Sequence, residues 1–293
     1  MKPVRVALAQ IAPRLGDTQA NLEKHAHAVK AARSEKAGLV VFPELAMTGY
    51  LLRDQVPDVA MSESSRSFKA VLALSRSIDV ITGLALEGPD HTFSNAAIYA
   101  SQGRLVHVHR KVYLPTYGMF DEGRDFASGE VVRAFDAPFG RAGMLICEDA
   151  WHPTCAWLAV QDGASALFVP SSGPTRGAKP GRGITSVPVW HDLLRVTAQF
   201  QTAFVVYVNR VGYEDGLNFG GGSIAIDPFG RTIASLPALD EGMAVAELSP
   251  EVLRRARTVY PLLRDENLDL VSRELERTRR RRFALPDPGE EAI

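Results

Sequence analysis

Cysteine is scarce in this chain: Cys147 and Cys155 are the two among 293 residues. One pair cannot frame a disulfide-stapled fold of this length, and so low a count fits a reducing compartment. An excess of one charge is also missing. The 33 basic and 34 acidic residues leave a net charge of −1, so no global field draws the protein to nucleic acid or a membrane surface. Long apolar runs are absent. Stretches such as Gly38 to Phe42 fall far short of the about 18 residues that a membrane-spanning helix needs. The N-terminus enters a strand-like pattern at once (VRVALAQIAP), without the positive, apolar, small-residue order of a secretion signal. A cytoplasmic protein is expected. Metal spacings are missing as well: there is no CxxC, no HExxH and no calcium-loop series of acids. His25-x-His27 and His107-x-His109 each offer two ligands, which do not make a site. The phosphate-loop pattern GxxxxGK[ST] is not found either. No metal and no cofactor are expected.

What is present suits a soluble globular chain of one or two domains, 46% apolar and 23% charged. Short apolar segments predict strands at Val4 to Ala9, Leu39 to Phe42, Val80 to Leu86, Asn95 to Ala100 and Arg104 to His109. Ser101-Gln102-Gly103 joins the last two as a hairpin. Later strands are expected at Ala142 to Ile146, Ala166 to Val169, Phe204 to Val208, Ser223 to Ile226 and Met243 to Glu247. Helical spacing is read after Asp17 or Thr18, from Ser65 to Arg76, Thr154 to Gln161 and Val187 to Gln201. This alternation implies an α/β layer architecture. Residues 1–250 read as one domain. Residues 251–293 read as a helical, Arg-rich extension belonging to the same domain or to an oligomer contact. The run from Arg277 to Arg282 reads as a solvated helix end, with docking of an acidic partner as the alternative.

In open α/β sheets, functional groups gather beyond the carboxyl ends of the strands. Here those ends deliver Glu44, Arg110-Lys111, Cys147-Glu148-Asp149, Ser171-Ser172 and Asn209-Arg210. A carboxylate, an amine, a thiol, a hydroxyl and an amide form the inventory of a hydrolase with a covalent nucleophile. Singly, each has a plainer explanation: Cys147 as core packing, Glu44 as a turn residue, Lys111 as surface charge. Cys147 lies where a strand ends and a helix is expected to follow, a setting that lowers thiol pKa values. Cys155, inside a predicted helix, reads as packing.

The segments FPELAMTGY (Phe42 to Tyr50), HRKVYLPTYGMFDEGRDF (His109 to Phe126) and LICEDAWHP (Leu145 to Pro153) resemble, in order and spacing, the nitrilase superfamily of carbon–nitrogen hydrolases. The likeness runs from VRVALAQ to GGSIAIDPFG near residue 230. Its wording is similar to the glutaminase domains fused to NAD synthetases and to their stand-alone relatives. The resemblance implies an αββα four-layer sandwich, with protomers pairing into a homodimer or higher homo-oligomer. It implies Glu44 as general base, Lys111 as oxyanion stabiliser, Cys147 as nucleophile and Glu122 as a second glutamate beside the lysine. Tyr117, Glu148 and Ser171 are expected to help position substrate, and the Glu148 N–H to assist Lys111. Trp151 near the same motifs walls the pocket or packs in the core. Asn209 and Ser223 read as support.

The expected activity is hydrolysis of a small linear amide to acid and ammonia through a cysteine thioester. Nitrile hydrolysis is one alternative. A glutaminase-type supply of ammonia to a separate synthetase is another, since the roughly 40 residues after position 250 are too few for a nucleotide-activating domain. The glycine-rich, basic stretch 173–183 reads as a substrate loop, with Arg176, Lys179 or Arg182 meeting a carboxylate, or as a solvated loop.

Overall fold

The computed structural model describes residues 1–176 and 185–284; Lys179 and Arg182 lie outside the described residues. Strands β1 (Val4–Gln10), β2 (Leu39–Val41), β3 (Asp79–Glu87), β4 (Phe93–Ser101) and β5 (Arg104–Arg110) build most of one sheet. Strands β6 (Phe135–Ala137), β7 (Gly140–Met144), β8 (Ala166–Ser171) and β9 (Phe204–Asn209) begin a second. A hairpin, β10 (Val211–Glu214) and β11 (Leu217–Gly220), precedes β12 (Ile224–Ile226) and β13 (Thr232–Ser235), which complete it. Strand β14 (Gly242–Leu248) then returns to the first sheet. The sheet orders are β14-β1-β2-β3-β4-β5 and β13-β12-β9-β8-β7-β6. Each has a parallel centre, β1-β2-β3 or β7-β8-β9, and antiparallel flanks. The two halves thus repeat one architecture.

The layering follows from the period-two alternation of strand side chains. In β1, Val6 and Leu8 join the core between the sheets, while Ala7 and Ala9 pack with Val29 and Ala32 of the helix Thr18–Ser34. That helix and Arg66–Leu74 cover the first sheet; Pro153–Gln161 and Ser186–Gln201 cover the second. The result is the αββα sandwich. Local chemistry sets the ends of these elements. Asp17 caps the first helix by accepting from Ala20 N at 3.0 Å. The β4–β5 hairpin turns on Gln102 and Gly103, both at positive φ, the conformation that a tight two-residue turn requires.

Past residue 250 the chain continues to pack on the sandwich. Helix Pro250–Val259 buries Leu253 and Ala256, and Arg257 donates to the carbonyls of Ala164 and Thr202. Helix Leu268–Phe283, in contrast, buries no residue. Its arginines are partly used at home, with Arg277 on Glu274 and Arg279 on Glu276. Among the described residues, no helix is long and apolar enough to cross a membrane, and no group of three His, Cys, Asp or Glu could hold a metal ion.

Candidate active site

Glu44 follows β2, Lys111 follows β5 and Cys147 follows β7, so the carboxyl ends of the two sheets converge on one spot. All three side chains are buried. Lys111 Nζ donates to Glu44 Oε1 at 2.7 Å and to Glu122 Oε1 at 2.6 Å. Asn95 Nδ2 donates to Glu44 Oε1 at 2.8 Å and reaches Glu122 Oε2 at 3.4 Å. Tyr50 Oη donates to Glu122. From the second sheet, Ser172 N donates to Glu44 Oε2 at 2.7 Å and Ser172 Oγ to the Glu44 carbonyl at 2.9 Å. Glu44 is therefore fixed by both sheets at once.

A glycine makes this approach feasible. A Cβ on Gly83 of β3 would lie 2.7 Å from Glu44 Cα and closer still to Leu45 N. The backbone at Glu44 also bonds directly to this strand, Gly83 N donating to Pro43 O and Met47 N to Gly83 O. Gly83→Ala must push the Glu44 segment away. The expected outcome is a stability loss of about 1–3 kcal/mol from overpacking, read by denaturant titration, together with a fall in turnover. Unchanged turnover in the folded variant would count against this account of how Glu44 is placed.

Electrostatics follow from burying one cation with two carboxylates and a thiol. Burial disfavours a charged Lys111, but Glu44 and Glu122 outweigh it and hold the ammonium above the ordinary lysine range. Burial pushes the Glu122 carboxyl up to about 7; Lys111 opposes this and the Glu44 charge adds to it. The Cys147 thiol is raised well above its usual range, by burial first and then by Glu44, with Lys111 pulling the other way. The expected helix N-terminus does not lower it. A five-residue 3₁₀ turn, Cys147–Trp151, starts at the cysteine itself, and the longer helix begins only at Pro153. A carboxylate near a resting thiol can serve it as a base.

Cys147 itself has φ +45°, a left-handed conformation that costs a non-glycine residue energy and collects at functional sites. It opens onto a cavity of about 250 Å³ lined by Tyr117, Phe120, Glu148, Trp151, Arg176 and Trp190, among others. A carbon–nitrogen hydrolase family model matches residues 5–258. The chain belongs to the carbon–nitrogen hydrolase family.

Two kinds of protein stand among those the chain matches. The glutamine-dependent NAD(+) synthetase of Thermotoga maritima is 32% identical over 264 residues, covering 89% of this chain but 45% of the synthetase. The hydrolase thus spans under half the length of that relative. An (R)-stereoselective amidase from Pseudomonas sp is 32% identical over 285 residues, covering 96% of this chain and 98% of the amidase. Among solved structures, a mutant amidase from Nesterenkonia sp. AN1 superposes with a TM-score of 0.77 at 26% identity, covering 92% of this chain and 96% of that one. It shows covalent addition of the acetamide moiety of fluoroacetamide at the active-site cysteine.

Most of the sequence-expected residues of this hydrolase come together. Glu44, Lys111, Glu122 and Cys147 form one cluster. Tyr117 and Glu148 sit at its mouth, the Tyr117 hydroxyl donating to both Glu148 oxygens at 2.9 and 3.0 Å. Trp151 lines the cavity and meets Trp190 edge-on. Asn209 supports the rim: its Oδ1 accepts from Gly173 N at 2.7 Å and its Nδ2 donates to the Gly173 carbonyl. Ser171 is different. Its Oγ is buried with no hydrogen-bond partner among the described residues, and it does not line the cavity. The neighbouring Ser172 makes the contacts to Glu44. Cys155 is buried in the helix Pro153–Gln161, its thiol pushed up to about 12 by burial. Asp149 and Ser172 stand among the strand-end residues without an expected role, and Tyr50 and Asn95 carry no functional expectation at all. Two of them stood inside quoted motifs, Tyr50 closing FPELAMTGY and Asp149 within LICEDAWHP.

Proposed function

We propose that the chain hydrolyses a small linear amide to its acid and ammonia, with Cys147 as nucleophile, Glu44 as acid–base and Lys111 as oxyanion stabiliser. The observation that carries this reading is the buried Glu44–Lys111–Glu122 cluster beside a thiol on a strained strand-end turn. In the first step Glu44 takes the Sγ proton while sulfur bonds to the amide carbon. The carbonyl electrons move to oxygen, and the oxyanion meets the Lys111 ammonium, with the Glu148 N–H as a second donor. One such donor supports about 10²–10³ of rate. The tetrahedral species then collapses. The C–N bond breaks, the nitrogen takes the proton from Glu44, and ammonia leaves a thioester. Water, losing a proton to Glu44, attacks the thioester carbon; the C–S bond breaks and sulfur regains its proton. Glu122 and Asn95 keep Lys111 and Glu44 in register through both halves.

The cavity admits a small acyl group, not a polymer. Its aromatic walls suit an apolar stem, and Glu148 and Arg176 present opposite charges at the mouth. A substrate bearing both an ammonium and a carboxylate, as glutamine does, fits that pair. The match to the NAD synthetases favours this second reading, in which the chain supplies ammonia to a synthetase partner. Nitrile hydrolysis would use the same three residues. The test is ammonia release from amides, carbamoyl compounds and nitriles side by side. A preferred amide supports the reading, and a preferred nitrile replaces it.

We also propose that the chain works as a homo-oligomer inside the cell. Beside the site, Trp151, Trp157, Leu193, Val196 and Phe200 line an apolar groove of about 770 Å³ on the outer helices. Phe200 is 68% exposed, and a second copy would cover such a patch. Phe200→Glu is expected to shift the sedimentation coefficient from dimer or larger to monomer. A monomeric unmutated protein would overturn the proposal.

A further inference from the structure

A carboxylate behind the site joins the two segments that carry Lys111 and Cys147. Asp149 is fully buried and accepts four hydrogen bonds. Oδ1 takes Val112 N at 3.0 Å and Tyr113 N at 2.9 Å, the two residues after Lys111. Oδ2 takes Ile146 N at 2.9 Å, the residue before Cys147, and His109 Nε2 at 2.8 Å, two residues before Lys111. A second tie lies alongside: the rings of Tyr113 and His152 stack with centroids 3.4 Å apart and planes 5° apart. The Glu44–Ser172 contacts lock one strand end to the other sheet. Asp149 does the same for the remaining two catalytic groups.

From this geometry we propose that Asp149, oriented by His109, is a positioning residue that sets the Lys111 ammonium against the Cys147 sulfur. The inference rests on the roles assigned above to Cys147 and Lys111. All four partners of Asp149 donate, so the side chain must accept at both oxygens. An amide cannot: Asp149→Asn places an NH₂ against donors on one side, either at Val112 and Tyr113 or at Ile146 and His109. Whichever side opens, one catalytic segment is released. A displacement of about 1 Å at a catalytic group can cost about 10²-fold in rate.

The consequence is specific. Lys111 draws the thiol pKa down against burial, Glu44 and Glu122. The charges of Lys111, Glu44 and Glu122 act on the sulfur, and the hydroxyls of Tyr50, Tyr117 and Tyr207 feel its charge in turn. Releasing Lys111 moves the thiol titration to higher pH. Losing the Asp149 charge alone would move it lower, so the two explanations have opposite signs.

The experiment measures kcat, KM and the pH profile of Cys147 alkylation by iodoacetamide, in a Cys155→Ala background, for Asp149→Asn, His109→Leu and His109→Gln. The expected result is a kcat loss of about 10–100-fold with KM nearly constant, and an alkylation midpoint shifted upward. His109→Gln, whose amide N–H can still donate to Oδ2, retains more activity than His109→Leu. If Asp149→Asn does not fold, the two His109 variants carry the test. An unchanged or lowered midpoint in folded variants overturns the proposal, as does unchanged kcat. Alkylation needs no substrate, so this result separates from any failure of the amide assignment.

Discussion

Cys147→Ala is expected to abolish ammonia release, by at least about 10⁴-fold, as when a covalent nucleophile is removed from a unit that acts together. Cys155→Ala is expected to keep turnover near the unmutated level. The contrast is informative because both thiols are buried and both are raised by burial. Exposure and acidity do not separate them. Placement does. Cys147 stands at the end of β7 with φ +45°, opens onto the cavity, and feels Glu44, Lys111 and Glu122. Cys155 lies in a helix and feels Asp149 alone among charged groups. Truncating Cys155 removes little more than one buried methylene-sized group and costs about 1 kcal/mol. The measurement is ammonia release on the preferred amide, with circular dichroism to show both variants folded. Turnover that survives Cys147→Ala would remove the nucleophile assignment and, with it, the thioester.

The residues proposed as catalytic stand out in the sequence because each lies just past a strand end inside a segment that resembles the carbon–nitrogen hydrolases. Their supports do not. Asn95 sits within β4, and only the antiparallel register Asn95↔Ala85 brings its amide to Glu44. Ser172 acts through a backbone N–H as well as its hydroxyl, and a backbone donor leaves no trace in residue identity. Gly83 reads in sequence as a weak point of a strand. In space it is the position where a second backbone must pass. Ser171 and Ser172 present the same hydroxyl, and it is the second, just past the end of β8, that meets Glu44.

Long apolar segments were legible to within a residue or two, since burial on both faces dictates their composition. The expected strand at Ala142 to Ile146 runs instead from Gly140 to Met144, freeing Leu145 and Ile146 to lead into the turn at Cys147. Strands β6, β10, β11 and β13 were not foreseen. Each has three or four residues, too few to show a period, and each exists because a partner strand supplies its ladder. The hairpin β10–β11 still matters for the site. Its Glu214 accepts from Tyr50 N and Leu51 N and pairs with buried Arg210, which holds Tyr50 where its hydroxyl meets Glu122.

Glu44→Gln should move thiol reactivity and turnover in opposite directions. The Glu44 charge raises the Cys147 thiol pKa and adds to the raised value of Glu122. Removing that charge lowers both, so at a fixed neutral pH a larger fraction of Cys147 is thiolate and alkylation by iodoacetamide quickens. Turnover falls by about 10²–10⁴-fold, the share that a general acid–base group contributes. Amide cleavage needs a proton delivered to the departing nitrogen, and an amide side chain has none to exchange. The substitution is not silent structurally. Glu44 accepts from Lys111 and Asn95 at one oxygen and from Ser172 N at the other. A glutamine must turn its NH₂ toward one of those donors, leaving a buried donor unpaired at about 1–3 kcal/mol. A thermal melt therefore belongs beside the kinetic measurement, at a temperature where the variant is folded. Faster alkylation with lost turnover would identify Glu44 as the proton carrier. Alkylation and turnover slowed together would mean that losing the base, or the contacts of Glu44 to Lys111 and Ser172, outweighs the lowered thiol pKa.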